Sequence, residues 1–244
     1  MTPDRPLLEI AANSLDSALA AEAGGADRIE LCAVLEAGGV TPSPGLVALV
    51  RAQVRIPVHV LVRPRPGDFA YSPSEHATML QDIAACVRAG CDGIVTGALA
   101  ADGSLDRARC GELAAAAEGL ALTLHRAIDV SSDPHQALED AIALGFGRVL
   151  SSGCAADALQ GAETLRGLVA QAGSRIVVMP GAGIDVHNIV RLRQITGARE
   201  FHASAKRALP SSMRHRPAVA LDMEGGEWRS DADAVARLAE ALRR

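Results

Sequence analysis

The sequence predicts an α/β protein folded as a single eight-stranded (β/α)8 barrel, of the TIM type, over residues 1–244. Three observations carry that prediction. Strand-length apolar runs alternate strictly with helix-length runs, eight of each. Helix-to-strand connections are short and glycine-marked, whereas strand-to-helix connections are longer and polar, as in a barrel with one quiet face and one working face. After the first strand stands Ile10-Ala11-Ala12-Asn13-Ser14, where a doubly wound fold more often carries GxGxxG.

The elements follow in order. A strand over 7–12 leads to a helix over 14–23, which Gly24 stops. The second strand, 28–33, is followed by a helix over 44–54 that Ser43-Pro44 starts. The third strand, 57–63, precedes a helix over 73–89, opened by the capping box Ser72-Pro73-Ser74-Glu75 and closed by Gly90. The fourth pair is 93–98 and 106–117; the fifth is 121–127 and 134–144, with Asp133-Pro134 as cap and Gly145 as stop. Strand 148–152 precedes helix 157–172, and strand 175–179 precedes helix 186–195, ended near Gly197. The eighth strand, 200–204, is separated from the last helix, 231–242, by a segment at about 205–230 with no clean period. An insertion there falls on the working face as a lid or an arm. It carries Pro210, Ser211, Ser212, Met213, Arg214, His215, Arg216 and Pro217.

Composition excludes several classes. Hydrophobic residues make up 49% of the chain, enough for a substantial core, yet no run approaches a membrane span. A net charge of −5 and 2% aromatic residues argue against nucleic-acid binding. The first residues lack the pattern of a secretory signal, so a cytoplasmic setting is expected. The five cysteines (32, 86, 91, 110, 154) form no CxxC pair, which disfavours a disulfide framework or a structural zinc site. Cys86, Cys91 and Cys110 read as small buried hydrophobes.

In this fold chemistry gathers at the C-terminal ends of the strands. Period-2 alternation places Glu30 with Cys32, Thr123 with His125, and His202 with Ser204 on inward faces, leaving Leu31, Leu124 and Ala203 toward the helices. Glu9, Glu30, His125 and Asp129 are the catalytic candidates for acid–base chemistry, with Glu30 or Glu9 as base and His125 as acid. Anion-binding candidates are Gly181, Gly183, Ser152, Gly153 and Ser204 on loops that offer backbone N–H groups. Arg63, Arg65, Asp68, Arg126 and His202 join them, with Arg63 and Arg65 as a clamp. A soft cation is the other option: Cu(I) favours thiolate and thioether and tolerates imidazole, so Cys32, Met179, His125 and His202 are candidate ligands. Each reading has a bland rival, a satisfied polar network inside a barrel.

Several motifs in order resemble the copper homeostasis protein CutC family. They are GADRIELC (25–32), GGVTPS (38–43), RPRPGDF (63–69), HRAID (125–129), SSG (151–153), MPGAG (179–183) and SMRHR (212–216). Pro66 and Ala203 depart from the usual pattern. The resemblance implies a cytoplasmic barrel, a homodimer or higher oligomer, an association with copper tolerance and Cu(I) as a bound ion. The residues themselves leave an enzyme acting on a small anionic or phosphorylated metabolite as the alternative.

Overall fold

The computed structural model describes residues 5–215, 219 and 226–244. Eight parallel strands form its centre: β1 (Leu7–Ala12), β2 (Arg28–Leu31), β3 (Val58–Leu61), β4 (Gly93–Thr96), β5 (Ala121–Leu124), β6 (Arg148–Ser151), β7 (Val177–Pro180) and β8 (Glu200–Ala203). Between and after them lie α1 (Leu15–Ala23), α2 (Pro44–Gln53), α3 (Pro73–Arg88), α4 (Arg107–Ala116), α5 (Pro134–Ala143), α6 (Ala162–Ala172), α7 (Ile189–Thr196) and α8 (Ala232–Arg243). The ladder runs β7-β6-β5-β4-β3-β2-β1-β8. β7 and β8 touch without ladder bonds, so the TIM barrel is closed by packing at that seam.

Six of the eight helices begin where the sequence supplies a side-chain acceptor; α6 and α7 do not. Ser43 Oγ accepts from Leu46 N, Ser72 and Glu75 form the reciprocal capping box, and Asp133 accepts from His135 N and Gln136 N. Gly197 closes α7 at φ +68°, a conformation costly to a residue with a Cβ.

Alternation along each strand sorts two interiors. Ile10, Ile29, Leu31, Val60, Ile94, Leu124, Val149, Val178, Phe201 and Ala203 face outward into the main core under the helices. The inward faces are largely polar. They also carry a small apolar group, Cys32, Leu61 and Val95 with Leu35 against it.

Some elements are shorter than the sequence suggests. The fifth strand ends at Leu124 because the chain turns into a 3-10 segment over Arg126–Val130, which the His125 ring caps by accepting from Ala127 N at 3.3 Å. The sixth helix starts at Ala162, since Asp157 first turns back onto Gln160 N at 2.9 Å. The aperiodic segment holds an antiparallel ribbon, β9 (Lys206–Leu209) with β10 (Glu227–Ser230). Asn13 Nδ2 donates to Trp228 O at 2.8 Å and Ser230 N donates to Ser17 Oγ at 3.1 Å, so the ribbon is fastened to the start of α1. Arg216 and Pro217 lie outside the described residues.

Candidate functional site

Inside the barrel a charged layer fills the middle of the strands. Arg28 forms ion pairs with Glu9 and, at 2.8 Å, with Glu200; Arg148 reaches Glu200 at 2.5 Å. Met179 Sδ lies 3.4 Å from Arg28 Nη2, which donates to it. Glu9 also accepts from His202 Nδ1 at 2.8 Å, and His202 Nε2 stands 3.8 Å from Glu30 Oε2. One atom from each of Glu9, Glu30 and His202 lies within 4.8 Å of the others.

These neighbours give two carboxylates different characters. Burial opposes ionisation of both. At Glu9, Arg28 and the His202 hydrogen bond overcome it and hold the carboxyl well below the usual range. At Glu30, burial with the adjacent Glu9 charge outweighs the attraction of His202 and pushes the carboxyl up to about 7. Burial likewise disfavours a charged His202, yet Glu30 and Glu9 raise it above the ordinary histidine value. His59 and His125 have no such carboxylate in contact: burial pushes them down to about 4 and about 3, so both rings are neutral. His59 fits only because position 93 is glycine; a Cβ there would come within 2.6 Å of the imidazole.

Above this layer, at the C-terminal ends of the strands, opens a cavity of about 360 Å³. Glu30, Cys32, Arg63, His125, Arg126, Gly183, His202 and Ser204 all line it, as the sequence expects of a shared site. Arg63 is buried, and its guanidinium donates to Ala37 O, Gly39 O and Gly67 O at 3.1, 2.8 and 2.7 Å. It makes no ion pair among the described residues. Cys32 is buried, and burial together with the Glu30 charge pushes its thiol well above the ordinary value.

Other candidates lie elsewhere. Glu9 and Met179 sit below the cavity, each engaged with Arg28. Arg65 and Asp68 pair with each other at 2.9 Å on the exposed loop after β3, and Arg65 also holds Glu75 at 2.6 Å. Asp129 accepts from Ser151 Oγ, Ser152 N and Ser152 Oγ at 2.6, 3.0 and 3.0 Å and pairs with Arg126 at 2.7 Å, so it organises the loop after β6. Ser152 and Gly153 belong to that loop and do not reach the cavity wall. Gly181 acts by its lack of a side chain: a Cβ there would lie 2.5 Å from Leu150 Cδ1.

Sequence reasoning overlooked Arg28, His59, Arg148 and Glu200 in the charged layer, and Phe69 and Lys206 on the cavity wall. Period 2 could have found two of them directly. Arg28 precedes Glu30 by two positions and Glu200 precedes His202 by two, so each shares the inward face.

The CutC family matches residues 6–207 of the chain. The CutC protein of Xanthomonas axonopodis pv. citri is 52% identical over 235 residues, covering 96% of this chain and 98% of its own. The CutC protein of Chromobacterium violaceum is 50% identical over 210 residues, covering 86% and 85%. Among solved structures, a CutC from Streptococcus agalactiae, named for copper homeostasis, superposes with a TM-score of 0.77 at 32% identity over 81% of this chain and 97% of that one. An aldolase at 15% identity and a TM-score of 0.66 shares the barrel fold. By the family match and by these relatives, the chain belongs to the CutC family.

Proposed function

We propose that the barrel mouth binds a small anionic metabolite and exchanges a proton with it through Glu30, as an enzyme of acid–base chemistry. The observation that carries this reading is the charge of the cavity wall. Arg63 is buried without a carboxylate partner among the described residues, and Lys206, unpaired with any described carboxylate, lines the same cavity. An uncompensated buried cation is costly, and an anionic ligand supplies the missing charge. Among the described residues Glu30 is the one carboxylate on that wall, and burial pushes it up to about 7, where a general acid or base works best. Backbone geometry supports the same reading, since Ala182 and Gly183 at the end of β7 both have positive φ, +81° and +67°, and line the cavity.

The chain's single tryptophan reports on this site. Lys206 Nζ lies 5.1 Å from the centre of the Trp228 ring. Titration with inorganic phosphate and with glycerol 3-phosphate is expected to change Trp228 fluorescence saturably. Arg126→Ala, which removes a wall cation while leaving the reporter pair intact, is expected to weaken binding by about tenfold. No saturable change with either anion refutes the reading.

A second reading, a Cu(I)-handling protein in the cytoplasm, is favoured by one observation: Cys32, His125 and His202 line the same cavity. One thiol and two imidazoles fit a soft cation, whereas the Met179 thioether is turned to Arg28. Five unpaired cysteines, four of them buried, suit a reducing compartment. Because the Cys32 thiol holds its proton well above the ordinary value, Cu(I) must displace it, and affinity is expected to rise with pH. Chelator competition on wild type and Cys32→Ser decides: equal affinity in both removes Cys32 from the ligands. The homodimer or higher oligomer implied by the family resemblance belongs to the same proposal.

A further inference from the structure

Resting on the reading of the mouth as an anion site, we infer that its ligand also carries a carbonyl group, whose oxygen docks on His125 Nε2–H while Glu30 takes a proton from the neighbouring carbon. His125 Nδ1 accepts from Ala127 N at 3.3 Å, so the ring proton sits on Nε2. That Nε2 is buried and has no hydrogen-bond partner among the described residues. A buried donor without an acceptor is unfavourable and rare, and His125 borders the cavity. An acceptor atom of the ligand completes it.

The ring is also held in place, as a donor with a fixed task requires. Phe69 stacks against it with centroids 4.6 Å apart and planes tilted by 47°, and the Arg63 guanidinium carbon lies 4.9 Å from the centre of the Phe69 ring. Gly97 lies close by; a Cβ at that position would approach His125 Cε1 to 3.1 Å. A neutral imidazole fixed in this way is a hydrogen-bond donor and not a proton donor, which changes the role of general acid expected for His125 from the sequence.

The cavity wall then divides by chemistry. Arg126, Gly183, Ser204 and Lys206 offer cationic groups and backbone N–H groups for an anionic group; His125 offers a donor for a neutral oxygen; Glu30 offers a carboxylate. Together they suit proton removal next to a carbonyl. The C–H bond breaks and its proton passes to a Glu30 oxygen. The electron pair left behind forms a C=C bond, and the former C=O π pair settles on oxygen as an enolate that accepts from His125 Nε2–H. Return of the proton from Glu30 to the same carbon restores the carbonyl; its return to the former carbonyl carbon moves the carbonyl once the neighbouring hydroxyl proton has passed to the enolate oxygen, and no oxidant or reductant is consumed. The substrate class is a small hydroxy-carbonyl compound bearing a phosphate or carboxylate.

The test is hydrogen exchange in D2O, followed by proton NMR, with dihydroxyacetone phosphate and hydroxypyruvate as carbonyl probes for the two anions. Glycerol 3-phosphate, which has the anion and lacks the carbonyl, serves as a binding control. Wild type is expected to exchange the carbon-bound proton of one carbonyl probe above the buffer rate, which also tells phosphate from carboxylate. Glu30→Gln is expected to lose exchange yet retain glycerol 3-phosphate binding. His125→Phe is expected to lower exchange about a hundredfold, with partial recovery in His125→Gln, which keeps an N–H donor. Binding of glycerol 3-phosphate with no exchange of either carbonyl probe overturns the inference and leaves the anion site standing. Failure of every probe to bind overturns both. Exchange unchanged in His125→Phe overturns the assignment of the donor. Nitrogen-15 NMR of the wild-type imidazoles adds a check free of ligand: His125 is expected as the Nε2–H tautomer, and the Nδ1–H tautomer refutes it.

Discussion

Arg28 lies between Glu9 and Glu200 inside the barrel, and Met179 Sδ completes its contacts. Removing one partner of a buried ion pair leaves an unmatched charge, which costs about 3–5 kcal/mol. Arg28→Met is therefore expected to lower unfolding stability by about 3 kcal/mol, the low end, because Arg148 still holds Glu200 and His202 still holds Glu9. Chemical denaturation measures this; an unchanged midpoint would show that the charged layer contributes nothing. The same residue explains why two inward carboxylates differ. Glu9 has Arg28 in direct contact and stays ionised, whereas Glu30 is displaced toward 7 by burial and by the adjacent Glu9 charge. Environment, not residue type, divides their roles.

At the scale of elements, the strand–helix order was legible because most helix starts carry their own signal, α6 and α7 excepted. Ser43-Pro44, Ser72 with Glu75, and Asp133-Pro134 cap the helices that they precede, and the local chemistry needs no knowledge of the rest of the fold. Inward faces were legible too, since Glu30, Cys32, His125, His202 and Ser204 meet at one cavity by alternation alone. Contacts across loops were not. Arg63 and Arg65 read as an anion clamp, but the loop after β3 turns Arg65 away to Asp68 and Glu75. Asp129 sits four positions after His125, yet the 3-10 turn that His125 caps aims it at Ser151 and Ser152. The ribbon of β9 and β10 escaped because each strand has four mostly exposed residues, and an edge ribbon without a buried face leaves no hydrophobic period.

At the scale of the whole molecule, the buried titratable groups fix how stability varies with pH. A group with a depressed folded pKa adds stability above its unfolded value, and that stability is lost as pH falls toward the folded value. His59 and His125, moved from 6.5 to about 4 and about 3, act in this sense below pH 6.5. Glu30 acts oppositely: raised from 4.5 to about 7, it holds a proton in the folded state that the unfolded chain has released. Between about pH 4.5 and 6.5 the unfolded state thus binds two extra protons at the histidines and the folded state one at Glu30. The net is one proton, so stability rises with pH by about 1.4 kcal/mol per unit. Below pH 4.5 the slope steepens. The unfolded chain now protonates Glu9 and Glu200, which the folded protein keeps ionised beside Arg28. Above pH 6.5 the sign reverses, because His202 is raised in the folded state and Glu30 still holds part of its proton, so the stability of both is lost as pH climbs. Urea denaturation from pH 3.5 to 8.5 is expected to show a maximum near pH 6.5 with the steeper flank on the acid side. In Glu30→Gln the decline above pH 6.5 is expected to shrink while the acid flank below 4.5 persists. A maximum that stays above pH 8 in the wild-type protein would mean that Glu30 is ionised at neutral pH and that its neighbours, chiefly His202, outweigh burial there.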